Sequence, residues 1–130
     1  VLAGANRITT GDDYKLVVRR GLRVVGPHLV TYLRRSPEGD PVRFGFIVAK
    51  NVGNAVRRNR VRRRLKAAGF SLLLTVRPGT DVVIRALPSA NNVSWPELCS
   101  EVAGALGKFQ RQPGSVRVDV APRKSMSIDE

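Results

Sequence analysis

Residues 42–69 read VRFGFIVAKNVGNAVRRNRVRRRLKAAG, and the stretch changes character half-way along. Val42 to Ala49 reads as a strand. Its run Phe44-Gly45-Phe46-Ile47-Val48 is largely apolar on both faces, the pattern of a central strand covered from two sides. Gly53-Asn54 then breaks the strand, and Asn54 suits the N-cap of a helix. That helix is predicted from Ala55 to Ala68, with Gly69 at the C′ position. At about 100° per residue, Val61, Leu65 and Ala68 form a narrow apolar stripe that can face a sheet. Asn59, Arg62, Arg63 and Lys66 gather on the opposite side. Arg60 lies between, and Arg57, Arg58 and Arg64 flank the stripe; Arg58 and Arg60 are both expected to be exposed.

Working outward, Gly11-Asp12-Asp13 supplies a helix start with acids at the positive end of the helix dipole. Asp13 to Arg20 then reads as a short helix, with Tyr14, Val17 and Val18 at helical spacing. Leu22 to Val25 and His28 to Leu33 read as strands interrupted by Gly26-Pro27. Ser36 to Pro41 reads as a hairpin loop. Beyond the basic helix, Phe70 to Val76 either extends it or forms a loop packed on the core. Pro78-Gly79 is a turn, and Asp81 to Leu87 a short buried strand around Val82-Val83-Ile84. Ser94 caps a last helix to Phe109, Glu97 completes a capping box, and Leu98, Val102, Ala105, Leu106 and Phe109 share one face. The order α-β-β-β-α-β-α predicts a single α+β domain, a small mixed sheet of about four strands with helices packed on it. The expected division is an irregular arm over 1–10, the domain over 11–112 and a disordered tail over 113–130.

Charge decides the class of partner. The chain has 130 residues, 42% of them hydrophobic, and 23 Lys and Arg against 10 Asp and Glu, a net charge of +13. The imbalance is concentrated: no acid lies between Asp40 and Asp81, while ten basic residues do. Lys50 to Lys66 alone holds eight basic residues and no acid. Like charges at i,i+4, such as Arg58 and Arg62, destabilise a helix by about a few tenths of a kcal/mol each, and a polyanion offsets that. Arg stands at nearly every position, and its planar fork fits phosphate and stacks on bases. Nucleic acid is the expected partner. The element before the basic helix is a strand, so no helix-turn-helix is formed, and RNA is favoured over DNA.

Other chemistry is poorly supplied. A single cysteine, Cys99, permits no internal disulfide, suits a reducing cytoplasm, and is expected as a small buried hydrophobe. No apolar run reaches membrane-span length. Asp12, Asp13, Asp40, Asp81, Glu97 and Glu101 are scattered rather than clustered as a Mg²⁺-dependent nuclease needs. The one histidine, His28, cannot form a paired acid–base system and reads as a packing or surface residue. No catalytic residue is assigned and the chain alone is expected to be inert.

The run Lys50-Asn51-Val52-Gly53-Asn54-Ala55-Val56-Arg57-Arg58-Asn59-Arg60-Val61-Arg62-Arg63 resembles the signature of the bacterial ribonuclease P protein family. Asn6-Arg7, Asp13-Tyr14, Arg20-Gly21, Arg43-Phe44-Gly45 and Asp81 to Ala86 resemble flanking family segments in the same order. The resemblance covers about residues 6–109. It implies a protein subunit of an RNA-based endoribonuclease that removes the 5′ leader of precursor tRNA. The RNA partner then carries the catalytic site and most of the Mg²⁺. Partners are ribonuclease P RNA and precursor tRNA, with no membrane and no obligate protein partner. It further implies that Lys50, Arg57, Arg58, Asn59, Arg60, Arg62, Arg63 and Lys66 face the catalytic RNA. Tyr14, Val18, Val30, Tyr32 and Ile47 match a leader-binding cleft between the first helix and the sheet. Val18 departs from the pattern, where relatives often carry an aromatic residue. Tyr14 and Tyr32 read equally as leader contacts and as core residues with a wet hydroxyl. The resemblance also implies a left-handed crossover around the basic helix. Charge, size and location alone are explained as well by a plain RNA-binding module.

Overall fold

The computed structural model describes residues 2–36 and 40–110. Along the chain run α1 (Gly11–Arg20), β1 (Leu22–Val25), β2 (Leu29–Arg35), β3 (Arg43–Ile47), α2 (Ala55–Leu72), β4 (Thr80–Ala86) and α3 (Trp95–Gln110). This is the mixed α+β order expected. The tail reading at 113–130 and the centre of the loop at 37–39 lie outside the described residues. α1 begins at Gly11, on the Gly-Asp-Asp signal itself and two residues before the expected Asp13. Thr10 is its N-cap, and its hydroxyl accepts from the Asp13 N–H at 3.2 Å. Asp12 and Asp13 in the first turn and Arg19 and Arg20 in the last both complement the helix dipole.

The four strands lie in the order β1-β2-β4-β3. β2 is antiparallel to β1 and β4, whereas β3 runs parallel to β4. Two expectations are thereby corrected. Ser36 to Pro41 does not close a hairpin, because β4 lies between β2 and β3. Nor is β3 central; it is an outer strand, and β4 holds the inner position with Val82, Val83 and Ile84 fully buried. The two-sided apolar pattern of β3 has another cause. Phe44 and Phe46 lie towards α2, and Gly45 lies beneath the Tyr14 ring of α1. The outer edge of β3 is covered by the N-terminal arm, where the Ile8 N–H donates to the Phe44 carbonyl at 2.9 Å and Arg7 bridges Phe44. Such coverage protects an edge that would otherwise offer free backbone groups. Leu2 and Ile8 of the arm are buried, and Gly4–Asn6 forms a 3₁₀ turn.

Each sheet face has its own core. Leu29, Leu33, Phe44, Val82 and Ile84 pack against Val61 and Leu65 of α2 and Leu98, Val102, Leu106 and Phe109 of α3. On the other face Val17 of α1 packs with Ile8, Val30, Tyr32 and Val83. Burying Val61 and Leu65 contributes about 1.5–3 kcal/mol each. The like-charge pairs along α2 cost about 0.2–0.5 kcal/mol each. Tertiary packing therefore holds α2 helical against its own charge.

α2 continues past Gly69 to Leu72 and passes into a 3₁₀ turn at Leu73–Thr75, so Gly69 is no C′ residue. It is a crossing point instead: a Cβ there would stand 3.3 Å from Phe44 Cδ2 and 3.5 Å from Phe46 Cζ. At the start of α3, the Glu97 N–H donates to Ser94 Oγ at 3.3 Å, the N-cap bond expected, but the Glu97 carboxylate accepts from the Ser94 hydroxyl at 3.2 Å rather than from its backbone N–H, so the capping box is only half formed. Cys99 is half-buried rather than buried, because it lies at the rim of the α2–α3 contact, 3.6 Å from Ser71 Oγ. His28 is half-buried, its Nδ1 2.8 Å from Ser89 Oγ. Glu101 of α3 takes up the N–H groups left by the Gly26-Pro27 break, accepting from Leu29 at 2.7 Å and His28 at 3.2 Å.

One ionic junction ties three elements together. Arg43 of β3 donates through Nε and Nη2 to the two Asp81 oxygens of β4 at 3.0 and 2.9 Å, and through Nη1 to Asp13 of α1 at 3.1 Å. Asp81 is 2% exposed. Its hydrogen bonds raise the Arg43 guanidinium above its ordinary range against the opposing effect of burial.

Candidate nucleic-acid interface

The basic surface is assembled from a strained turn and a well-capped helix. After β3 a 3₁₀ turn carries exposed Lys50, and Gly53 follows with φ 152° and ψ −167°. Asn54 Oδ1 accepts from the Arg57 N–H at 2.9 Å, confirming the predicted N-cap. A Cβ on Gly53 would stand 2.9 Å from Arg57 Cδ and 3.0 Å from Arg57 Cβ. Gly53→Ala should therefore destabilise the domain by about 1–3 kcal/mol, through backbone strain and the clash at the helix start. A urea titration checks this: a midpoint unchanged from the parent protein would show that the turn relaxes freely.

The wheel reading of α2 holds in its main lines. Val61, Leu65 and Ala68 are fully buried, while Arg57, Asn59, Arg60, Arg63 and Lys66 are exposed. Arg62 and Arg64 are half-buried; Arg62 donates to Asn59 Oδ1 at 3.0 Å and Arg64 to the Val93 carbonyl at 2.9 Å. Arg58, expected to be exposed, is half-buried, and its Nε is buried without a partner among the described residues. Arg60 donates through Nη2 to Asn91. Among the described residues, ion pairs form only at Arg43, and none of them neutralises the charge of α2.

The five predicted cleft residues come together in one cluster under and beside α1. They are not equally accessible. Val30 and Tyr32 are each 4% exposed, whereas Tyr14, Val18 and Ile47 are half-buried. Tyr14 lies with its ring over Gly45, where a Cβ would stand 2.6 Å from its Cε1, and its hydroxyl accepts from the Phe46 N–H at 3.0 Å. One side of the ring is thus occupied, while the hydroxyl proton remains available to donate.

Sequence reasoning missed two basic residues on this sheet face. Arg85 pairs in register with both Val30 and Ile47, and Arg23 with Tyr32; both arginines are exposed. Cross-strand partners share a face, so period-two alternation would have found them once the strand order was known. A groove of about 250 Å³ joins the two surfaces, bounded by Arg7, Thr9, Tyr14, Phe46, Arg62 and Lys66. The basic helix and the α1 cluster therefore form a continuous surface.

The sequence model of the family described as Ribonuclease P matches residues 2–110, most of the chain and all of the described helices and strands. The chain belongs to the ribonuclease P protein family. A ribonuclease P protein component from Clavibacter michiganensis subsp. michiganensis is 48% identical over 111 residues, 85% of this chain and 98% of the relative. The Mycobacterium tuberculosis component is 38% identical over 117 residues, 90% of this chain and 100% of the relative. Solved ribonuclease P proteins share the fold. A mutant from Staphylococcus aureus superposes with a TM-score of 0.74 at 24% identity, over 82% of this chain and 89% of that one. The Thermotoga maritima protein gives 0.70 at 20% identity, over 78% and 96%. Membership in the ribonuclease P family gives this chain a place in the ribonucleoprotein that processes tRNA 5′ ends. No described helix is long and apolar enough to cross a membrane.

Proposed function

We propose that the chain binds ribonuclease P RNA through the α2 surface and the 5′ leader of precursor tRNA through the α1 cluster. The observation that carries this reading is the cationic face of α2, without an ion-pair partner among the described residues and continuous through the Arg7–Lys66 groove with Tyr14. Lys50, Arg57, Asn59, Arg60, Arg63 and Lys66 are exposed and free to meet phosphates, with Arg62 at the groove. Arg58 contributes from a half-buried position. Tyr14, Val18 and Ile47 offer the accessible wall for leader nucleotides, Val30 and Tyr32 support it from below, and Arg85 supplies nearby charge.

The described residues do not fit a Mg²⁺ site of their own. No group of three or more His, Cys, Asp or Glu stands together among them, and Asp13 and Asp81 are both turned to Arg43. Endonucleolytic cleavage and the Mg²⁺ it uses belong, in this reading, to the RNA. The protein alone is inert, and the complex works in the cytoplasm, where precursor tRNA is handled.

The test is reconstitution with a bacterial ribonuclease P RNA at low Mg²⁺, scoring precursor-tRNA cleavage with and without the protein. Stimulation that requires both the 5′ leader and Arg60 is expected. Tight RNA binding without stimulation would identify a general RNA-binding module, and cleavage by the RNA-free protein would overturn the division of labour.

A further inference from the structure

We infer that Asn91 is a positioning residue for RNA binding: it holds the Arg60 guanidinium in place by one nitrogen and leaves the rest of the fork for a phosphate. The inference rests on the reading of Arg60 as an RNA contact. Asn91 lies in the 3₁₀ segment Pro88–Asn92 that follows β4, far from α2 in sequence. The segment is firmly seated. Ala90 is fully buried and Val93 nearly so. Arg64, one helical turn beyond Arg60, donates to the Val93 carbonyl at 2.9 Å. Against this fixed segment Arg60 Nη2 donates to Asn91 Oδ1 at 2.8 Å and to the Asn91 carbonyl at 3.3 Å.

Both bonds use the same nitrogen. Nε and Nη1 make no hydrogen bond among the described residues, and the side chain is exposed. A guanidinium carries five donors in a rigid plane, so fixing one nitrogen fixes the direction of the others. An exposed arginine otherwise loses rotamer freedom when it meets a phosphate, and prior ordering removes part of that cost. The choice of amide over carboxylate matters equally. Asn91 orients the cation without neutralising it; an aspartate there would form an ion pair that phosphate must displace.

Three variants and one double variant test this on the full chain with a bacterial ribonuclease P RNA, reading Kd across a salt series. Arg60→Ala should weaken binding and lower the slope of log affinity against log salt by about one. Asn91→Ala should weaken binding about three- to tenfold with the slope unchanged, because the charge remains and only its ordering is lost. Asn91→Asp should weaken it by about tenfold or more and lower the slope, because the charge is then paired. In the Arg60→Ala background, Asn91→Ala should have no further effect. A direct RNA contact by Asn91, or a merely structural role, would give the same loss in both backgrounds and overturns the inference. No loss from Asn91→Ala with Arg60 present overturns it as well. If Arg60→Ala itself leaves affinity and slope unchanged, the RNA-contact reading of Arg60 fails first, and the positioning role falls with it.

Discussion

Replacing Arg60 and Arg63 together by glutamate should lower affinity for ribonuclease P RNA by on the order of 10²–10⁴-fold. The figure follows from two charge-assisted contacts at about 1.5–3 kcal/mol each, with about 1.4 kcal/mol to each factor of ten. The salt dependence should flatten by about two phosphate equivalents. Both side chains are exposed, so the fold has little to lose. Arg60 gives up its bond to Asn91, but the new carboxylate in its place lies four residues before Arg64, and the one replacing Arg63 lies three before Lys66. Repulsions of a few tenths of a kcal/mol become attractions of similar size. Thermal unfolding should stay cooperative, with a midpoint near that of the parent. The motif reading alone would have chosen Arg58 and Arg60. The half-buried Arg58, with its Nε enclosed, makes that pair ambiguous: Arg58→Glu would change buried packing as well as charge. An RNA affinity unchanged by the Arg60/Arg63 pair would mean that α2 is not the RNA-facing surface.

The contrast between Arg58 and Arg63 marks how far local sequence reaches. Periodicity located α2 and α3 because Val61, Leu65 and Ala68, or Leu98, Val102 and Phe109, recur at helical spacing and nothing competes with that pattern. Capping chemistry located Asn54 and Ser94 for the same reason. Strand order was not legible. The apolar run Phe44-Gly45-Phe46-Ile47 is compatible with an inner strand and equally with an outer one whose faces and edge are all covered. Only the placement of Tyr14 and the arm at Ile8 distinguishes them. Gly69 failed as a helix stop because its cause is a distant ring, Phe44, rather than a local turn. The site divides in the same way. The arginine face follows from the wheel, and the family resemblance supplied the α1 cluster. The burial of Tyr32, the place of Arg85 beside Val30 and Ile47, and the Asn91–Arg60 contact depend on register and on where a 3₁₀ segment lands.

Stability should respond most to the Arg43 junction. Arg43→Ala leaves Asp81 charged, 2% exposed and on the inner strand, with both partners of its two oxygens gone. Removing one member of a buried pair costs about 3–5 kcal/mol. The Arg43 side chain is 26% exposed, so water entering the vacated space brings the expected loss to about 3 kcal/mol. For a domain of this size that is roughly a 10–20 °C fall in Tm, out of a total stability of about 5–15 kcal/mol. Arg43→Lys should recover only part, since an ammonium cannot span both Asp81 oxygens and Asp13. Arg43→Ala with Asp81→Asn should recover more than either single change predicts, because the stranded charge is gone. Ordinary changes of pH should not reproduce the effect through Arg43. Its proton is held more tightly in the folded chain, so its contribution is fully present below the ordinary arginine value and is lost only as pH rises beyond that, far above any working pH. The junction also anchors α1 through Asp13. If the cluster around Tyr14 is the leader wall, loosening α1 should weaken discrimination between precursor and mature tRNA at temperatures where RNA binding by α2 persists. Parallel loss of both would place the two surfaces in one cooperative unit.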